Sequence, residues 1–236
     1  MKLKRDFLRS CLLASTTASV LILACGGDSG TRFDPQRADE LTQASLISGT
    51  DLPGSGWRIR DDDVFQDAAQ DQAADAACHD LRNVLTEARE GVAAHAQRVL
   101  ERPTFTTLIG VVVMVEVTAY DDSDGLAKLV RRYRKLASDG SLAECASKLS
   151  ERTLSVRPRK ASASAPHGGV VFADTRRFTA LSGPPLTRVD ERYLWVDGNV
   201  MVLVTISAPE QRFTSDVVKA ALEKTDAAVT RAGKAK

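Results

Sequence analysis

No segment limits the fold of this chain more than Val111–Thr118, which reads VVVMVEVT. A β-branched run of that length loses side-chain freedom in a helix and packs well on a pleated surface, so the span from Leu108 to Tyr120 is predicted to be a central strand, with Glu116 near its more polar end. Asp121, Asp122 and Ser123 follow and offer oxygens to cap a helix. In that helix Leu126, Leu129, Val130, Tyr133 and Leu136 recur at helical spacing, and Lys128, Arg131, Arg132, Arg134 and Lys135 occupy the solvent face.

The rest of the chain supplies shorter signals. Arg37 to Leu46 reads as a short helix stopped by Gly49, and Asp51 to Gly56 as a turn before a short strand at Trp57–Arg60, with Trp57 a candidate core anchor. Asp61, Asp62 and Asp63 lack the glycine and distal glutamate of a calcium loop and read as a solvated turn. The Ala-rich stretch from Ala68 to Leu85 is predicted to be helical, and Ala96 to Arg102 fits either a helix or a strand. Pro158 to Gly169 reads as a flexible loop. Gly169 to Ala180 alternates loosely as a strand. Leu186–Val196 and Asn199–Ser207 read as a hairpin across Asp197-Gly198. Thr214 or Ser215 then caps a final helix with Val218, Ala221, Leu222, Thr225 and Val229 on its buried stripe. Together these predict an α+β fold: one domain, an antiparallel sheet, and helices packed on one face.

The amino terminus constrains location. Lys2, Lys4, Arg5 and Arg9 precede fifteen uncharged, mostly apolar residues from Ser10 to Ala24. A membrane span needs about 20 apolar residues, and this shorter run ends at Gly26-Gly27, which is the pattern of a secretory signal. Its last residues, Ile22-Leu23-Ala24-Cys25-Gly26, resemble the bacterial lipobox, in which the cysteine is acylated before cleavage. The resemblance implies a signal peptide over 1–24, acylation (palmitate included) at Cys25, a flexible tether over 25–36 and a secreted domain over 37–236. An ordinary signal with a chance cysteine is the alternative. Two or three acyl chains, at about 0.8 kcal/mol per buried CH₂, hold a protein on a membrane stably. The expected location is therefore the cell membrane, lipid-anchored on the extracytoplasmic face, with the membrane a partner through Cys25.

Charge and cysteine usage agree with export. The whole chain has 32 Lys plus Arg against 31 Asp plus Glu. Loss of residues 1–24 leaves 28 against 30, a net charge of −2. No nucleic-acid partner is expected, because the field is weak and the basic helix lacks interleaved aromatics. Cys78 and Cys145 remain after Cys11 leaves and Cys25 is acylated. In an oxidising compartment they most simply form a disulfide, which would close a loop worth about 4 kcal/mol on the chain-entropy model. Metal binding lacks a second ligand group beside Cys78-His79, and a catalytic thiol lacks a base.

No reaction is legible. The histidines are His79, His95 and His167, and His167 lies in the Pro/Gly loop without a partner by spacing. Ala180-Leu181-Ser182-Gly183 lacks the first glycine of a nucleophile elbow, and no phosphate-binding glycine loop is present. Asp190-Glu191 lies on a strand that reads as half exposed. The sequence assigns no catalytic residue, no metal ligand and no cofactor, and it leaves the ligand-binding residues unassigned. A non-enzyme is expected.

Several pieces resemble the actinobacterial secreted domains of the PknH-like extracellular sensor type, found on receptor kinases and on free-standing lipoproteins. They are the stretch from Leu46 to Trp57, Cys78 in a helix, GVVVMVEVTAYDDSDGLAKLV ending at Val130, Cys145, the hairpin WVDGNVMVLVTIS and the closing helix. They cover most of residues 40–230. The resemblance implies a sheet and helices bounding a cleft for a small molecule or envelope component, and it carries no site residues across. Domains of this kind often hold two disulfides, and this chain has cysteines for one. No kinase segment is present. Two functions follow: a binding module that captures a small envelope ligand or protein partner, or a lipid or glycolipid carrier with an apolar cavity. The mass of the chain recovered from its own membrane should correspond to a start at an acylated Cys25. A start elsewhere with that sulfur unmodified would remove the anchor.

Overall fold

The structure, a computed structural model, describes residues 33–60, 78–79, 83–84, 88, 90–104, 107–138, 140–141, 145, 153–178 and 185–234. The signal over 1–24, Cys25, most of the expected tether, the Asp61–Asp63 turn, most of the Ala68–Leu85 helix and Ala180–Gly183 lie outside these residues.

Seven strands form one antiparallel sheet: β1 (Arg58–Arg60), β2 (Val92–Thr104), β3 (Thr107–Tyr120), β4 (Thr153–Pro158), β5 (Val170–Phe178), β6 (Leu186–Asp197) and β7 (Val200–Pro209). Their spatial order is β1-β2-β3-β7-β6-β5-β4, so the β-branched run of β3 lies in the interior, paired on both sides. The ambiguous stretch at Ala96–Arg102 is a strand because it pairs with β3, Leu100 facing Val113. The turn of the β6–β7 hairpin lies one residue later than the sequence suggests. Asp197 pairs with Val200, so the turn is Gly198-Asn199, and Gly198 takes the positive φ of 59° that the first turn position requires.

Alternation along the strands separates two faces. On the first, Leu100, Val113, Val115, Val117, Val202, Val204, Ile206, Tyr193 and Trp195 form one apolar core. It is covered by α1 (Pro35–Ala44) and by α3 (Ser215–Lys234). Helix α1 starts two residues before the expected Arg37, since the Asp34 carboxylate accepts the amides of Gln36 and Arg37 at 2.9 and 3.3 Å and Pro35 suits the first turn. Phe33 already packs on the core, so part of the expected tether belongs to the folded unit. On α3 the predicted stripe Val218, Ala221, Leu222, Thr225 and Val229 is buried as a set.

The expectation that helices pack on one face holds for α1 and α3 only. Helix α2 (Ser123–Ser138) lies on the second face, where Leu126, Leu129 and Leu136 pack with Tyr120, Val84, Val196 and Met201. Asp122 caps it, accepting the amides of Asp124 at 2.9 Å and Gly125 at 3.0 Å. Strand β3 is apolar on this side too: Val112 and Met114 face it at 3% and 9% exposure, against 2% and 0% for Val111 and Val113 on the other. A strand apolar on both faces needs cover on both. The Cys78 and Cys145 sulfurs stand at bonding distance, with Cα atoms 4.9 Å apart and both residues buried.

Glu116, instead of sitting at a polar strand end, lies inside β3 on this second face, beside the edge of the α2 core. Burial pushes its pKa up to about 7, and its charge raises the Tyr120 hydroxyl, itself mainly desolvated, to about 12. A carboxyl whose folded pKa exceeds its unfolded value stabilises the fold fully below the unfolded value, and the contribution is lost as pH rises through the folded one. Stability should therefore fall between about pH 4.5 and pH 7. Glu116→Gln should flatten that slope and gain on the order of 2 kcal/mol above pH 7, after partial screening by solvent. Denaturant midpoints across pH, with both proteins side by side, check it; parallel curves would show that Glu116 is solvated.

Candidate functional site

Beyond the end of the α2 core, the second sheet face turns from apolar to charged. Strand β5 places Asp174 and Arg176 there, and β6 places Arg188, Asp190 and Arg192. The register sets Asp190 opposite Asp174 and Arg188 opposite Arg176, and on the other side of β6 it sets Asp190 opposite Ser207 and Arg192 opposite Thr205 of β7. Five ionisable groups thus share a patch two strands wide. Period-two alternation makes the patch: residues 174 and 176, and residues 188, 190 and 192, fall on the same side of their strands.

The contacts are unequal. The Asp174 carboxylate, fully buried, receives Arg176 through two bonds, Nε to Oδ1 at 2.8 Å and Nη2 to Oδ2 at 3.1 Å. Arg176 Nε also lies 3.1 Å from Asp190 Oδ2. Burial opposes the Arg176 charge, but the Asp174 hydrogen bond and the two carboxylates outweigh it and raise its pKa. Arg188 directs Nε and Nη2 to Ser207 Oγ at 3.1 and 2.9 Å, and Nη2 also to the Gly110 carbonyl at 3.5 Å. Arg192 approaches Asp174 Oδ2 only at 3.6 Å, and its guanidinium carbon stands 5.6 Å over the Phe172 ring. Burial, followed by the neighbouring Arg176, draws the Arg192 pKa down; burial also lowers that of Arg188. At the β2 edge Glu101, almost buried, meets the exposed Arg58 at 3.4 Å.

Asp190 and Glu191 are both buried, where the sequence suggests a half-exposed strand, and they point to opposite faces. Glu191 anchors the segment between β4 and β5. Its Oε1 accepts the Ser162 amide and hydroxyl at 3.0 and 2.9 Å, the Tyr193 hydroxyl donates to Oε2, and Arg159 lies 3.9 Å away. Burial and that bond raise the Tyr193 pKa. The segment expected to be a flexible loop is therefore tied at several points. His167 within it has φ 51° and pairs through Nε2 with Asp226 Oδ1 of α3 at 2.9 Å, a partner 59 residues away that spacing could not suggest. His95 bonds Thr118 Oγ1 at 3.0 Å, and burial lowers its pKa. His79 bonds Asn83 at 3.3 Å. Trp57 sits at the rim of the first-face core, its Nε1 donating to the Pro53 carbonyl at 3.0 Å and its ring under Arg102.

Among the described residues no group of three or more His, Cys, Asp or Glu is arranged to hold a metal ion. The patch presents guanidinium forks fixed by carboxylates and an aromatic ring. Sequence reasoning missed it, since Arg176, Arg188 and Arg192 match no motif; the alternation of charge along Arg188, Asp190 and Arg192 within one strand was the available signal.

No protein-family model matches the chain, and no curated protein matches it. Among solved structures, the extracellular domain of PknH from Mycobacterium tuberculosis is similar, at 14% sequence identity and a TM-score of 0.45, over 85% of this chain and 99% of that one.

Proposed function

We propose that this chain is a lipid-anchored module on the extracytoplasmic face of the cell membrane, held through Cys25, that captures a small envelope ligand or a protein partner and performs no chemistry of its own. The observation that supports capture is the contrast between the two sheet faces. The first is filled: Leu100, Tyr193, Trp195 and Ile206 occupy the space beneath α1 and α3 at 0–1% exposure. The second carries Asp174, Arg176, Arg188, Asp190 and Arg192 on adjacent strands, where apolar residues would cost less desolvation. Charged groups held in fixed geometry on a broad sheet face are suited to polar recognition.

The carrier reading needs a large apolar cavity between sheet and helices, and the filled first face argues against one there. Native mass spectrometry of the chain extracted in mild detergent from its own membrane separates the two. Capture predicts a polar adduct or a cross-linked protein that is lost on denaturation. A retained alkyl lipid or glycolipid would transfer the protein to the carrier class, and repeated recovery with neither adduct nor partner would overturn capture.

A further inference from the structure

On the charged face, Arg192 differs from its two neighbours. Arg176 donates through Nε and Nη2 to Asp174 and lies against Asp190, and Arg188 donates through Nε and Nη2 to Ser207 and Gly110. Both are fixed parts of the sheet. Arg192 donates no hydrogen bond within 3.5 Å to any described residue; its nearest carboxylate oxygen is the 3.6 Å one of Asp174, which Arg176 already holds. Its side chain is one-third exposed, and Phe172 lies against it. A guanidinium has five N–H donors in a planar fork, and leaving them without acceptors in a partly desolvated position is unfavourable.

Resting on the capture reading above, we propose that Arg192 is the docking point for an oxyanion group of the ligand, a carboxylate or phosphate, received by the guanidinium edge. Two features carry this. The ring of Phe172 restricts the guanidinium before any ligand arrives, which reduces the ordering cost of binding. The charge balance also permits an anion. Three arginines face Asp174 and Asp190, while Glu101 is paired with Arg58, so the cluster keeps one positive charge in excess. Asp174 is fully buried and bound through both oxygens by Arg176, which limits its repulsion of an incoming anion. A carboxylate and a phosphate share the paired oxygens that match the fork.

The test titrates the full mature chain in detergent with inorganic phosphate and, separately, with acetate, at constant ionic strength in chloride. It follows the Arg192 side-chain N–H and Phe172 ring resonances. Saturable shifts at both residues are expected. Arg192→Gln should weaken the apparent affinity about tenfold or more, and Arg192→Lys, which keeps the charge but loses the fork, should also weaken it. Lys219→Gln, an exposed change on α3 over the opposite sheet face, should leave it unaltered. Saturation by phosphate alone or acetate alone identifies the oxyanion. Absence of saturation by either, or shifts that persist in Arg192→Gln, would overturn the assignment. If a natively retained ligand then still perturbs the β5–β6 face, only the oxyanion inference falls. If it perturbs another surface, the use of this face for capture falls with it.

Discussion

The structure depends on β3 being paired on both edges and apolar on both faces. Its odd-numbered valines face the core under α1 and α3, and Val112 and Met114 face the side that α2 shares. A strand of this kind cannot lie at an edge or leave one face to water, because burial of each valine contributes about 1.5 kcal/mol or more only when something covers it. The order of the sheet follows. Strands β2 and β7 flank β3, the longest strand, and the two shortest, β1 and β4, take the edges, where unpaired backbone is least extensive.

Away from β3 the two faces diverge. The first carries aromatic and branched side chains as far as β6, with Glu191 its one fully buried acid among the described residues, satisfied by Ser162 and Tyr193. The second changes within three strands from Val112 and Met114 through Ser207 and Thr205 to the arginines and aspartates of β5 and β6. Breaking one partner of such a network leaves a buried charge unpaired, which generally costs several kcal/mol, about 3–5 for a buried pair. The network therefore holds its own geometry as firmly as the apolar core holds the other face, and a rigid array of donors is what selective polar recognition needs.

Much of the fold was legible where the signal is local. The β3 run, the Asp122 cap, the stripe Leu126–Leu136 and the α3 stripe all depend on residues within a few positions of one another. The errors have a common origin. The hairpin turn lay one residue later than Asp197-Gly198 suggested, because pairing of Asp197 with Val200 decided it. Cover on both faces was encoded in the uninterrupted character of VVVMVEV, which signals a strand buried on both sides more than a half-buried one. The segment over Pro158–Gly169 has the composition of a mobile loop, yet Glu191 and Asp226, each distant in sequence, tie it down.

The sequence by itself determined that β3 is a strand, that α2 and α3 are helices with their buried stripes, and that Cys78 and Cys145 are the pair available for a disulfide. These rest on side-chain entropy, capping and composition, which act over a handful of residues. Tertiary structure alone decided that Asp174, Arg176, Arg188, Asp190 and Arg192 share one face, and that two of the arginines donate hydrogen bonds to its described residues while Arg192 donates none. Cross-strand register is set by long-range pairing, and a slip of one residue would send every one of these charges to the opposite side.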